Sequence, residues 1–312
     1  MSPVGPVDTL LAGLIDYAGL FPPAALPMRD AVARYAEHRR GADRAMLGRF
    51  VLPAARLTEF TTEVDRLPFG APTPADPWGL AVLANVTDAP MLRVFAGTYG
   101  SCLTADVVET KADDVATIEA IAAAFGSASG SASGSASADA SAPMPTVYVE
   151  LPLQADLPLL VAALARLGLR AKVRTGGLTP DAIPAPADLL RLLTCCVRAG
   201  VPFKATAGLH HPLRGEYPLT GDADGPRATM YGFLNIFLTA AFLHDGVDAS
   251  AVAPLLEERD PAAITVDGTS LRWHHLALAT PALAAFRAAS GASFGSCSFD
   301  EPVHDLAALH FR

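Results

Sequence analysis

The sequence predicts an α/β protein built as a single-domain (β/α)8 TIM barrel, and three observations carry that prediction. Strand-like and helix-like segments alternate along the whole chain, eight strand-like segments can be counted, and most are followed by a helix. A doubly wound open sheet is the main competitor, but no GxGxxG or GxxxxGK(S/T) stands at the first strand-to-helix turn.

The elements follow in order. LIDY (14–17) is the first strand, and MRDAVARYAEHR (28–39) has helical spacing. GRFVL (48–52) is the second strand, with a helix over 57–67. WGLAVLANV (78–86) is the third, and its helix begins at 90–95. ADVVE (105–109) is the fourth, followed by a helix over 113–125 that Asp113 and Asp114 open, acidic groups suiting the positive end of a helix. The tract GSASGSASGSASADASAPMP (126–145) has nothing to bury; it reads as a flexible surface loop within the domain, because the βα rhythm resumes after it. TVYVEL (146–151) is the fifth strand, with a helix over 157–167. The sixth and seventh strands, 170–177 and 201–208, are separated by a helix over 186–198. A loop and helical insertion over 210–291 comes next: a polar Gly/Pro-rich loop (210–229), an apolar helix (230–244), helical pieces and a hairpin at 264–273. The last strand is ASFGSCSF (292–299).

Composition narrows the function. Hydrophobic residues make up 51% of the 312 and charged residues 18%, which suits a compact enzyme-like body rather than a disordered scaffold. A net charge of −9 argues against a nucleic-acid partner while leaving room for a local basic site that binds a small anion. The opening MSPVGPVDTLLAGLIDYAGLF lacks the basic region and cleavage site of a secretory signal. No apolar run approaches the roughly 18 residues of a membrane span, the longest (230–243) being interrupted by Gly232, Asn235 and Thr239. A cytoplasmic protein without a membrane partner is therefore expected. Cys102, Cys195, Cys196 and Cys297 form no CxxC pair and read as buried free thiols.

The most informative stretches are RAKVRTGG (170–177) and VPFKATAG (201–208). Each places one lysine at an alternating position of an apolar strand, where an ammonium is costly unless paired or neutral. Alternation puts Lys172, Arg174 and Gly176 on one face of the sixth strand, and Lys204, Thr206 and Gly208 on one face of the seventh. The opposite faces are apolar and suit the outer helices, so the lysines face the barrel interior. Adjacent strands lie about 4.8 Å apart, so the ammonium groups can approach each other. Mutual repulsion and desolvation are then expected to lower the pKa of at least one amine, and a neutral lysine attacks carbonyls. The alternative is that each lysine pairs with a carboxylate or snorkels to the strand end.

These segments resemble the deoxyribose-phosphate aldolase type of class I aldolase, a (β/α)8 barrel. That family carries a Schiff-base lysine in a KTSTG-like sixth strand and a second lysine in a KASGG-like seventh; here they read KVRTGG and KATAG. LIDYAGLFP (14–22) resembles its first strand, ADVV with Asp106 its fourth, and FGSCS (294–298) its last. The resemblance implies Lys172 as the Schiff-base former, Lys204 as the residue that lowers its pKa, and Asp106 as the proton-relay partner, with no cofactor. The chain departs from the family at AGLHHP (207–212), where His210 and His211 replace a basic phosphate-binding segment, and in the longer stretch between the last two strands.

Other groups belong near strand ends, where barrel enzymes keep function. His210 and His211 are candidate substrate-binding or acid/base groups, and as neighbours in an extended chain they point to opposite sides. Gly176 and Gly177, and the FGSCS segment with Ser296 and Ser298, offer backbone N–H groups to an anion. Glu150 and Asp16 are partners for the lysines or Arg174; alternatively they join a histidine and Asp300 or Glu301 as metal ligands. The segment FPPAALP (21–27) either walls the pocket or meets another subunit, and the 210–229 loop is a lid or a homo-oligomer contact. Three functions stay open: a Schiff-base lyase on a small carbonyl substrate (an anionic sugar or keto acid), a metal-dependent hydrolase or lyase using Glu150 and His210/His211, and a non-catalytic barrel that binds a small anion or a partner.

Overall fold

The computed structural model describes residues 5–125, 144–221, 224–309 and 311. Eight parallel strands close into a barrel: β1 (Ile15–Tyr17), β2 (Leu47–Pro53), β3 (Trp78–Leu83), β4 (Leu103–Lys111), β5 (Thr146–Glu150), β6 (Arg170–Arg174), β7 (Phe203–Thr206) and β8 (Gly291–Ser296). They neighbour one another in chain order, and β8 pairs back onto β1. The expected (β/α)8 barrel is the fold. Strands and helices agree with the sequence reading to within a few residues; residues 126–143 of the Gly/Ser/Ala tract lie outside those described.

Local chemistry explains the boundaries. Asp156 caps the helix Leu157–Leu167 by accepting from the Leu159 N–H, and Gly168 ends it in the left-handed conformation with φ 67°. The helix Pro186–Ala199 ends the same way at Gly200, φ 63°. Asp114 accepts from the Thr117 N–H, so the helix Val115–Phe125 starts just past the acidic pair. Third-strand pairing stops at Leu83, because Asn85 and Asp88 form a capping box over 85–88 that turns the chain.

Two corrections arise after β7. The segment read as a polar loop holds an antiparallel hairpin, Gly215–Pro218 against Arg227–Met230. Met230 is consequently in a strand, and the apolar helix runs Phe233–His244. Every residue from Phe233 to Phe242 is buried, which accounts for its apolar character all round; it packs against the helices Pro186–Ala199 and Thr280–Ala289 and against β8. The hairpin expected at 264–273 is present and gains a third strand, Leu276–Ala279. Among the described residues no helix is long and apolar enough to cross a membrane.

Inside the barrel, Val51, Ala81, Val107 and Tyr148 form a small apolar layer separate from the large core between strands and helices. Below it, toward the strand N-termini, Arg49 and Asp106 form a two-pronged pair at 2.9 and 2.6 Å, with Gly79 leaving space for the guanidinium. Above it lies the candidate site.

Candidate functional site

β6 and β7 pair with Lys172 directly opposite Lys204, and β5 pairs with β6 to set Glu150 opposite Lys172. The two lysines therefore share the interior, and both are buried. They are not left to repel each other. Glu109, on β4, stands between them: Oε2 lies 2.8 Å from Lys172 Nζ, and Oε1 accepts from Lys204 Nζ. Lys204 also donates to Asp16 Oδ2 at 2.6 Å, where Ser293 Oγ donates at 2.7 Å. Asp16 Oδ1 takes the Arg49 N–H at 2.6 Å, and Gly48 is required here because a Cβ would fall onto that oxygen. Glu150 Oε2 lies 3.2 Å from Lys172, while its Oε1 lies 3.4 Å from Lys111 and 3.5 Å from Arg174.

The electrostatics reverse one expectation. Burial alone would push the Lys204 amine down, but Asp16 and Glu109 outweigh it and hold the amine above its ordinary range. The expected depression does not occur at Lys204, because a carboxylate, Glu109, stands between the two lysines. Burial would likewise raise Glu109, yet Lys204 and Lys172 hold it at about 2. Glu150 is held below its ordinary value despite burial, by Lys172, Arg174 and Lys111. The interior is thus a chain of alternating charges, Asp16, Lys204, Glu109, Lys172, Glu150, that opens at one end.

Above Lys172, at the C-terminal ends of the strands, lies a cavity of about 350 Å³. Glu109 and Lys172 form its polar floor; Arg174, Thr206, His210 and Cys297 are its other polar lining. Phe21, Pro22 and Pro23 of the FPPAALP segment line one side, and Pro218, Leu219 and Met230 of the hairpin region line another. Lys204 is absent from the lining, sealed beneath with Asp16.

The two histidines divide as adjacent residues should. His210 lines the cavity, with Nδ1 3.3 Å from Glu301 Oε2, 3.4 Å from Ser296 Oγ and 3.8 Å from Cys297 Sγ. Burial opposes its charge, but Cys297 and Glu301 prevail and raise its pKa to about 9. His211 turns away, 2.6 Å from Asp305 and stacked on Tyr217 with ring centroids 3.5 Å apart.

The remaining predicted groups are placed as follows. Gly177 lines the cavity, whereas Gly176 packs against Gly208, whose Cα lies 3.1 Å from where a Gly176 Cβ would be. Gly208 and Ala207 both have positive φ, 75° and 63°, bending the chain sharply after β7 while Thr175 Oγ1 donates to the Ala207 carbonyl at 2.6 Å. Ser298 Oγ accepts from the Glu301 N–H at 3.2 Å, at the start of the helix Asp300–Ala308. Asp106 is corrected: its carboxylate holds Arg49 in the layer below, and the group between the lysines is Glu109. The cause is a bulge in β4. Gly79 pairs with Thr104 and Ala81 with Val107, so β4 carries one extra residue there, and Val107 and Glu109 turn inward where strict alternation from Asp106 points them outward. The combination of Glu150 with a histidine as metal ligands is also corrected, since Glu150 is taken by cations and His210 by Glu301. Among the described residues no group of three or more His, Cys, Asp and Glu is arranged to hold a metal ion.

Neither a family model nor a curated protein matches the chain. Among solved structures, a nitroalkane oxidase from Streptomyces ansochromogenes is similar over 65% of this chain and 61% of its own length, at 16% identity and a TM-score of 0.29. The fold and site themselves define the class: a (β/α)8 barrel with a buried lysine–carboxylate chain beneath a cavity at the C-terminal face.

Proposed function

We propose that the protein is a carbon–carbon lyase of the class I aldolase type, in which Lys172 forms an imine with a small carbonyl substrate. One observation carries this reading: of the two interior lysines, Lys172 alone lines the cavity. That is the geometry a Schiff-base nucleophile needs, one amine at the substrate and its charge partners behind it.

The cluster gives each neighbour a task. Lys204, held charged by Asp16 and Glu109, is a fixed cation that keeps Glu109 ionised. Glu109 and Glu150 are both shared with other cations, so neither holds Lys172 exclusively. For imine formation Lys172 gives up a proton; Glu150, 3.2 Å from Nζ, is a receiving group within reach. The amine attacks the carbonyl carbon, water leaves, and the resulting cationic imine sits where Glu109 and Glu150 already compensate positive charge. The bond between the α- and β-carbons then breaks: the β-hydroxyl loses its proton and becomes the carbonyl of the departing fragment, the bonding electrons form the enamine, and protonation of the α-carbon followed by addition of water releases the second product and frees Lys172. His210, on the wall, carries the proton exchanged with the substrate oxygen, and Arg174 and Thr206 bind its polar end.

The test is proton exchange alpha to a carbonyl. In D2O, small ketones and aldehydes should lose their α-proton NMR signals with wild-type protein, in the presence or absence of chelator, and keep them with Lys172→Met. Exchange that persists in a folded Lys172→Met variant, or that disappears with chelator, contradicts the imine mechanism.

A further inference from the structure

Cys297 is a buried free thiol, as the sequence predicts, and it also lines the cavity. It follows β8, where the chain turns into the helix Asp300–Ala308 and brings Glu301 back over the strand end. Its Sγ lies 3.8 Å from His210 Nδ1, and Glu301 Oε2 lies 3.3 Å from the same nitrogen. Thiol, imidazole and carboxylate thus meet at one ring edge, which puts a proton-exchanging imidazole within reach of a thiol that faces the cavity. Cys297 and Glu301 together raise the His210 pKa against burial.

The other cysteines lack such surroundings. Cys196 is sealed in the helix Pro186–Ala199, and burial raises its thiol; burial also raises Cys195. Cys102 is partly exposed beside Ser101. Ranked by exposure alone, Cys102 and Cys195 would react before Cys297.

We infer that Cys297, with His210 and Glu301, is a second nucleophilic site in this cavity, one that takes small aldehydes as reversible hemithioacetals. Sulfur attacks the carbonyl carbon, and its proton passes to the imidazole as His210 gives up the one it already holds. A C–S bond forms as the C=O π bond breaks, and the proton is delivered from His210 to the new alkoxide. Atoms and charge balance without a leaving group, oxidant or reductant. The apolar lining of Phe21, Val51, Leu83, Leu178, Leu219 and Met230 favours an uncharged aldehyde over a phosphorylated one. The site stands on geometry that does not involve imine chemistry at Lys172.

Iodoacetamide labelling of the folded protein at neutral pH, read by peptide mapping, tests it. Cys297 should alkylate on the order of tenfold faster than Cys102 despite its burial, and His210→Asn should slow it by a similar factor. Glu301→Gln, a change at a half-exposed side chain, should slow it less. Propanal should protect Cys297 in the wild type and equally in Lys172→Met. Faster labelling of Cys102 or Cys195, or a Cys297 rate unchanged in both the His210 and Glu301 variants, overturns the proposal. Protection that requires Lys172 assigns the aldehyde to an imine and overturns the hemithioacetal. Protection retained in Lys172→Met, with no α-proton exchange in the wild type, counts against the lyase reading alone.

Discussion

Replacing Glu109 with glutamine removes the one carboxylate that touches both interior lysines. The cost follows from the structure. A buried carboxyl held at about 2, against an ordinary 4.5, contributes about 3 kcal/mol to native stability at neutral pH, each pKa unit being worth about 1.4 kcal/mol. The folded value is depressed, so this contribution is complete above about pH 4.5 and disappears as pH falls through about 2. Breaking one side of a buried ion pair costs about 3–5 kcal/mol by comparison, because the remaining charge is stranded. Glu109→Gln should therefore lower the unfolding free energy at pH 7 by about 3 kcal/mol in urea titrations, with the gap to wild type narrowing below pH 4.5. Adding Lys204→Met should lower stability further rather than restore it, since the buried Asp16 then loses its cation. A variant within about 0.5 kcal/mol of wild type at pH 7, or a gap that does not change with pH, would refute the charge chain.

Three further outcomes follow from the same geometry. Asp106→Asn should leave any Lys172 imine formation within about twofold of wild type in stopped-flow trapping, because Asp106 holds Arg49 one layer away; a tenfold or greater loss would restore a relay role. Gly208→Ala, at φ 75° and with Gly176 Cα 3.1 Å from the new methyl, should destabilise by about 1–2 kcal/mol, and an unchanged Tm would contradict it. His210 should titrate near 9 by NMR and fall toward 6.5 in Glu301→Gln. Because its folded value is raised, the stability it contributes is full below about 6.5 and is lost as pH rises through about 9.

The barrel was legible because its signals are local. Period-two apolar runs, helix caps and the order of elements survive in a single sequence, and the strand alternation that turned Lys172 and Lys204 inward is a local property too. Glu109 was not legible. Its position depends on one extra residue in β4, and nothing in LTADVVETK marks where alternation slips. The hairpin after β7 was hidden for a related reason: GEYP and RATM are short, partly exposed strands rich in polar and turn-forming residues, and only their mutual pairing makes them strands. Cys297 was visible as a residue but not as a group in a cavity, because its partners His210 and Glu301 come from the β7 exit and the final helix.

In the proposed mechanism Lys172 is the amine presented to a carbonyl, while Lys204 is a buried structural cation. Borohydride trapping with small aldehydes, keto acids and sugar phosphates, followed by intact mass and peptide mapping, tests it directly. A substrate-dependent reduced adduct on Lys172 that vanishes in Lys172→Arg, with Lys204 unmodified, is the expected result. An adduct on Lys204, or none on any lysine across the panel with folded protein, would contradict it.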